Sequence, residues 1–514
     1  MEEKRIEELQ HFLTENRISF QTRRLNEYIT DASFLTRGAP YIAIFLTTEA
    51  NAFQVVDYMA KNSLALAIRA MGSSTAGASL ANPETALVLV DRLGMCDPWG
   101  NRSASVEPEL FTSDGQLFPK SEAKKVQDHS QGLRDVELYA RVPAGMSTDE
   151  LDRTLLPHRL HTAIVPSSGW TSIAANFSTN AGGNGSPTYG TFKDIVNRLR
   201  VIGTDASRNA KIFTITDREK IRSMAGHQGL LGIITELDVR VVPHIPEAEL
   251  LNAVISYEQT DLSLIGQEVG MFMDEAQKNC KMINAEFLVL DPLIIDGSNP
   301  IFTDPELKGF FNLKPDHRKM LVLYQGERRL MGKLPQIATS FRGIAYQEIS
   351  AKGLKKMLEV RKAAAGKAIG RVGIPGFEDI FVRDPKKLGK VLAKIFQISE
   401  GILPGRPYGH QYIDGLVIHY RPLAKVERSE FQKAWNLASA LGKEIFGNPD
   451  YATEKRAEHG LGLELFALSS LERIEELRAL KEEFDPAMLF SVFLMDLRPS
   501  LQFVGEQLEG IRSA

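Results

Sequence analysis

Three clusters of small residues hold the chemistry this chain shows first: "RAMGSSTAGAS" (Arg69–Ser79), "SIAANFSTNAGGNGSPTYG" (Ser172–Gly190) and "AGHQGLLGIIT" (Ala225–Thr235). Glycine permits positive φ and close approach, so successive backbone N–H groups can point into one concavity and hold an anion such as a phosphate. Taken singly, each cluster also reads as a plain turn. No Gly-Lys-Ser/Thr follows the glycines, which removes a Walker loop. None places G-x-G-x-x-G between a strand and a helix with an acid about twenty residues later, which disfavours a Rossmann site. Any phosphates must be held by another architecture.

The elements that would position these clusters alternate from about residue 40 to 245. "YIAIFL" and "ALAIRA" read as buried strands around the helical pattern "EANAFQVVDYMAKNS", and "ALVLVDRL" and "VELYARVPAG" read as further strands. The polar, turn-rich stretch between the last two, about 95–135, reads as an insertion running over the surface. Ser147, with Glu150 three residues on, spells a capping box. "NRLRVIGT", "KIFTIT" and "IITELDVRVVPH" are strand-like, and Pro243 and Pro246 then mark a boundary. The chain thus divides into a first domain over 1–245, a second over 246–460 that mixes strands and amphipathic helices, and a closing segment over 461–514. In that segment "SLERIEELRALKEEF" is a helix stopped by Asp485-Pro486. The expected class is α+β.

Composition narrows the partners. With 514 residues, 43% hydrophobic and 25% charged, the chain can bury two or three cores. A net charge of −4 gives no electrostatic footprint for nucleic acid. No apolar run is long enough to span a bilayer, and the N-terminus does not spell a secretory signal. Cys96 and Cys280 alone make neither a disulfide framework nor a cysteine cluster, so a reducing cytoplasm is the simplest expectation, with peripheral membrane contact left open.

In order and spelling the three clusters resemble the vanillyl-alcohol oxidase/p-cresol methylhydroxylase flavoprotein superfamily. The nearest branch is that of D-lactate dehydrogenase, the glycolate oxidase flavin subunit and D-2-hydroxyglutarate dehydrogenase. The first cluster is similar to P-R-G-A-G-T-S-L-S-G through Arg69, Gly72, Ser74 and Gly77, and the second to T-I-G-G-N-I-A-T-N-A-G-G through Ile173, Asn176, Thr179, Asn180, Ala181, Gly182 and Gly183. The third is similar to G-S-E-G-T-L-G-I through Gly226, Gly229, Leu231, Gly232 and Ile233, and "TYGTFKDIV" resembles the segment that follows the double glycine.

The resemblance implies a two-subdomain FAD-binding domain of the p-cresol methylhydroxylase type, an α+β cap domain for substrate, and a C-terminal segment returning to the FAD domain. It implies cofactor contacts from Arg69, Ala70, Met71, Gly72, Ser73, Ser74, Gly77 and Ala78 in the first loop. In the second it implies Ser172, Ala175, Asn176, Thr179, Asn180, Ala181, Gly182 and Gly183, with Tyr189 and Gly190 beyond. Gly229, Gly232, Ile233 and Ile234 complete the set. The FAD is expected to be non-covalent, because Ser73 stands where related oxidases carry a linking histidine. His227 replaces the family's serine and is expected as a partly exposed loop histidine, with an altered cofactor contact as the alternative.

The same resemblance supplies the chemical end. "MLEVRK" puts Arg361 where relatives hold a substrate carboxylate, a task suited to the paired donors of a guanidinium. "GHQYIDGLVIH" and "AEHG" resemble a metal motif in which His410, His419 and Glu458 would bind a divalent ion such as zinc. His459 would take the proton of a substrate hydroxyl. The histidines are nine apart rather than seven, and the H-x-Y-x-D-G spelling is nearer alkyl-glycerone-phosphate synthase, a flavin transferase. The implied activity is oxidation of a D-2-hydroxy acid, with electrons passed to a quinone or electron-transfer protein. The transferase, an alcohol or sugar oxidase, and a flavoprotein with a structural cofactor are the alternatives. A homodimer is left open.

Overall fold

The computed structural model describes residues 3–32, 35–36, 38–74, 77–96, 101, 106–127, 136–166, 168–290, 303–314, 316–362, 372–373, 377–425, 427–445, 451, 453–455, 471–490 and 502–503. These form two compact units. One comprises Met1–Ala181, Thr191–His244 and Ala457–Ala514; the other comprises Gly182–Gly190 and Ile245–Arg456. The fold is α+β, with the second glycine cluster divided between the units at Ala181.

The first unit contains a four-stranded sheet in the order Ser19–Gln21, Ile42–Phe45, Ala86–Leu89, Leu66–Arg69. The last three strands run parallel, and parallel strands covered on both faces read as short continuous apolar runs such as "ALVL". Helix Glu49–Lys61 makes the crossover between Ile42–Phe45 and Leu66–Arg69. Ala52, Val55, Val56 and Met59 lie on its inner stripe, and Thr48 caps it by accepting the Asn51 N–H at 3.1 Å.

The same unit holds a seven-stranded sheet, in the order Ala210–Ile215, Val196–Thr204, Ile233–Pro243, Leu138–Pro143, Glu109–Thr112, Leu117–Phe118, with Leu160–Thr162 also paired to Ile233–Pro243. Glu109–Thr112 corrects the expected surface excursion. It pairs antiparallel with Leu138–Pro143 and buries Leu110 and Phe111, a short apolar run masked in sequence by surrounding turn formers. The two sheets are tied by Glu49, whose carboxylate accepts from Arg200 Nε at 2.6 Å and Nη2 at 2.8 Å. The Ser147–Glu150 capping box forms as spelled.

The second unit is built on a nine-stranded antiparallel sheet. Its path runs Ala345–Glu348, Leu250–Gln259, Arg318–Glu327, Asn284–Leu290, Gly405–Tyr412, Gly415–Ala424, Phe377–Val382, Thr453–Lys455, and Val372–Gly373 also joins Gly415–Ala424. On one face Phe272, from helix Leu262–Asn279, meets Tyr324 edge-on. On the other, Leu354 and Met357 of helix Ala351–Lys362 pack with Leu288, Leu321 and Leu323. Among the described residues no helix is long and apolar enough to cross a membrane.

Candidate flavin site and a polar row

In the first unit the first loop leaves strand Leu66–Arg69 and turns at Gly72, whose φ is +67°. A side chain there would also collide with the Arg69 guanidinium, which folds back over the turn. Arg69 Nη1 donates to Thr30 O at 2.9 Å, and burial lowers its pKa against the opposing pull of Asp31. Ala70, Met71, Ser73 and Ser74 line the turn itself, and Ser74 Oγ accepts the Ala78 N–H beyond Gly77, which is also at positive φ.

Ser172 caps the short helix Ile173–Ser178 by accepting the Ala175 N–H. Asn176 is fully engaged in scaffolding: its Oδ1 accepts from Thr171 at 2.8 Å and its Nδ2 donates to Thr148 at 3.1 Å. Thr179 turns back to Ala175 O, and Ala181 N–H donates to Asn176 O. Asn180 differs. Its Oδ1 accepts the Lys193 N–H at 2.8 Å, while its buried Nδ2 has no hydrogen-bond partner among the described residues. A buried donor without an acceptor costs about 1–3 kcal/mol, so a bound group offering one fits here.

The third loop closes on that helix. Gly226 N–H donates to Phe177 O at 3.2 Å and Gln228 N–H to Ser178 O at 2.8 Å. Gly229, at φ +84°, donates its N–H to His227 Nδ1 at 3.1 Å. Gly232 lies against the Ile202 carbonyl, where a Cβ would collide, and Ile233 and Ile234 then start the long strand. His227 corrects the expectation of partial exposure. It is 1% exposed, and desolvation, followed by Arg473 and Lys481, holds its pKa down to about 3. Its Nδ1 accepts backbone N–H groups, so the neutral ring carries its proton on Nε2, which faces Ser178 Oγ at 3.4 Å.

In the second unit, Gly182 abuts the Tyr412 phenol so closely that a Cβ would collide with it. Gly183 N–H donates to Ser186 Oγ at 2.9 Å, and Thr188 Oγ1 donates to Met282 O at 2.6 Å. Tyr189 N–H closes a turn on Gly185 O, and Gly190 follows at positive φ.

His410 and His419 come together despite their spacing. They lie on hairpin strands in which Tyr408 faces His419, so the two histidines are diagonal neighbours on one sheet face, with ring centroids 5.3 Å apart. Glu286 is directly opposite His410 on the next strand, with Oε1 3.8 Å from His410 Nδ1, and both are buried. Sequence reading missed Glu286; its signal was a lone acid within the apolar strand "AEFLVL". The Leu323 register places this row on the face covered by helix Ala351–Lys362, which carries Arg361 in its last turn. Glu458 and His459 lie outside the described residues, and so does the Arg361 side chain. Among the described residues no three His, Cys, Asp or Glu side chains form a metal-holding group.

Comparison with known proteins agrees with this geometry. A family model described as an FAD binding domain matches residues 123–207. A D-lactate dehydrogenase of Anaerostipes hadrus is 23% identical over 173 residues, which spans 32% of this chain and 34% of that relative. Two solved structures of alkyldihydroxyacetonephosphate synthase superpose at 13% identity. One has a TM-score of 0.60, covering 88% of this chain and 76% of that one; the other has a TM-score of 0.64, covering 95% and 85%. The chain is thus an α+β protein with an FAD-binding domain of the p-cresol methylhydroxylase type. The family match is confined to residues 123–207, and the likeness to the two solved structures is one of fold.

The loops fit FAD on their own chemistry. They combine a half-buried guanidinium, turns built on positive-φ glycine and an orphaned amide donor at Asn180.

Proposed function

We propose that the protein oxidises a D-2-hydroxy acid to the 2-oxo acid, with bound FAD as the acceptor of the Cα hydride and an external quinone or electron-transfer protein as the final acceptor. The observation that carries the reading is the polar row Glu286–His410–His419, two histidines on one sheet face with a buried carboxylate beside His410. Arg361 would bind the substrate carboxylate through paired N–H donors. His459 would take the hydroxyl proton as the carbonyl forms. His410 and His419, with Glu458 as third ligand, would hold a divalent ion such as zinc, which would acidify the hydroxyl.

The test is anaerobic flavin bleaching against a panel of D- and L-2-hydroxy acids, with and without EDTA. Bleaching by a D-acid alone is the expected result, and EDTA sensitivity would support the ion. Failure of every acid to bleach the bound flavin overturns the reading.

A second reading is favoured by one observation, the fold shared with alkyldihydroxyacetonephosphate synthase. Turnover of an acyl glycerone phosphate without any electron acceptor would decide for a transferase.

A further inference from the structure

The third glycine loop is gripped from behind by two cations of the C-terminal helix Leu471–Phe484. Arg473 donates through Nη2 to Ala225 O at 2.7 Å and through Nη1 to Ser223 O at 2.8 Å. Lys481, 2% exposed, donates to Leu230 O at 2.7 Å, to Phe490 O at 2.7 Å and to Asp485 Oδ2 at 2.5 Å. Those three acceptors use all three ammonium donors, so Lys481 is a fixed post.

Each cation continues through a peptide group into the second glycine segment. Across the Ala225–Gly226 peptide, Arg473 holds the carbonyl while the Gly226 N–H reaches Phe177 O at 3.2 Å. Across the Leu230–Leu231 peptide, Lys481 holds the carbonyl while the Leu231 N–H faces His227 Nδ1 at 3.5 Å. The His227 Nε2 proton then faces Ser178 Oγ at 3.4 Å, and Ser178 donates to Ala174 O at 2.9 Å. A planar peptide held at its oxygen has its N–H aimed the opposite way, and a cation at one end polarises the next hydrogen bond. Both chains therefore end on helix Ile173–Ser178, one turn before Asn180 with its orphaned amide.

We propose that Arg473 and Lys481 are positioning residues for the flavin cofactor, setting the second and third glycine loops in register through these two peptide relays. The proposal rests on the FAD reading above. It assigns the C-terminal helix a role in cofactor retention as well as in closing the fold.

The test titrates FAD into apoprotein, by flavin fluorescence and absorption spectrum, and measures melting temperatures of apo and FAD-loaded protein. Arg473→Gln and Lys481→Met are each expected to weaken FAD binding at least tenfold, to alter the bound flavin spectrum and to shrink the FAD-induced rise in melting temperature. Glu475→Gln, on an exposed position of the same helix, should leave all three unchanged. Arg473→Lys, which keeps a cation at Ala225 O, should recover most of the affinity. Arg473 is near the surface, so its variants stay informative if Lys481→Met does not fold. A lower apo melting temperature with unaltered FAD affinity and spectrum would overturn the proposal. Wild-type protein that takes up no FAD would instead bring down the cofactor reading, and the proposal with it.

Discussion

His227 Nδ1 accepts the Gly229 N–H at 3.1 Å, so a neutral imidazole stands inside the third glycine loop as a hydrogen-bond acceptor. Protonation would put a donor against a donor, next to Arg473 and Lys481, and the folded pKa is accordingly about 3. The unfolded ring titrates near its ordinary value of about 6.5. Between those values the unfolded chain binds a proton that the folded chain refuses, so stability is complete above pH 6.5 and falls as the pH drops. His227→Asn keeps an acceptor without the titration. Between pH 6.5 and 5.5 the wild type should lose about 1 kcal/mol more stability than the variant, read from urea midpoints. Equal slopes would mean that His227 is protonated in the fold.

Gly182 and Tyr412 make a second, independent contact to probe. Gly182→Ala drives a methyl into the phenol and should cost about 1–3 kcal/mol, the usual range for overpacking. Tyr412→Phe removes the nearest atom, so the double variant should recover part of that loss. Chemical denaturation of the single and double variants measures the difference, and a Gly182→Ala protein as stable as wild type would show that the ring is not there.

Asp485 lies at the hub of the C-terminal segment. It is 0% exposed, pairs with Lys481, and accepts the Leu489 and Phe490 N–H groups and the Thr204 hydroxyl. Asp485→Asn leaves an ammonium buried without its counter-charge. Breaking one side of a buried pair costs about 3–5 kcal/mol, and the melting temperature should fall accordingly. Restoring neutrality with Lys481→Met in the same chain should recover stability, although cofactor affinity should stay low.

Legibility in sequence followed the range of the interaction. The strands, the crossover helix, the Ser147 cap and the Asp485-Pro486 stop were readable, because periodicity, capping and proline act within a few residues. Glu109–Thr112 was not, because four residues among turn formers carry too little pattern until their partner strand is known. The burial of His227 is illegible for a related reason: a histidine between glycines looks exposed until a helix from residue 471 onward covers it. The His410–His419 spacing, counted along the chain, departs from the seven of the motif it resembles. Hairpin register brings the two rings side by side regardless. Glu286 could be assigned a partner only through the pairing of its strand with Gly405–Tyr412.

That pairing gives the sharpest test of the proposed chemistry. A carboxylate facing His410 Nδ1 at 3.8 Å favours the tautomer with its proton on that nitrogen and the lone pair on Nε2. Glu286→Gln is close in shape but removes the charge that sets this preference. The rate of anaerobic flavin bleaching at saturating D-2-hydroxy acid should fall about 10–100-fold, the usual cost of losing a carboxylate behind a working histidine. KM and flavin content should change little, since Glu286 lies behind the imidazole. Glu286→Asp, which keeps the charge, should retain more of the rate. A Glu286→Gln protein with the wild-type rate would remove the row from the mechanism and leave Arg361 and His459 to carry it alone.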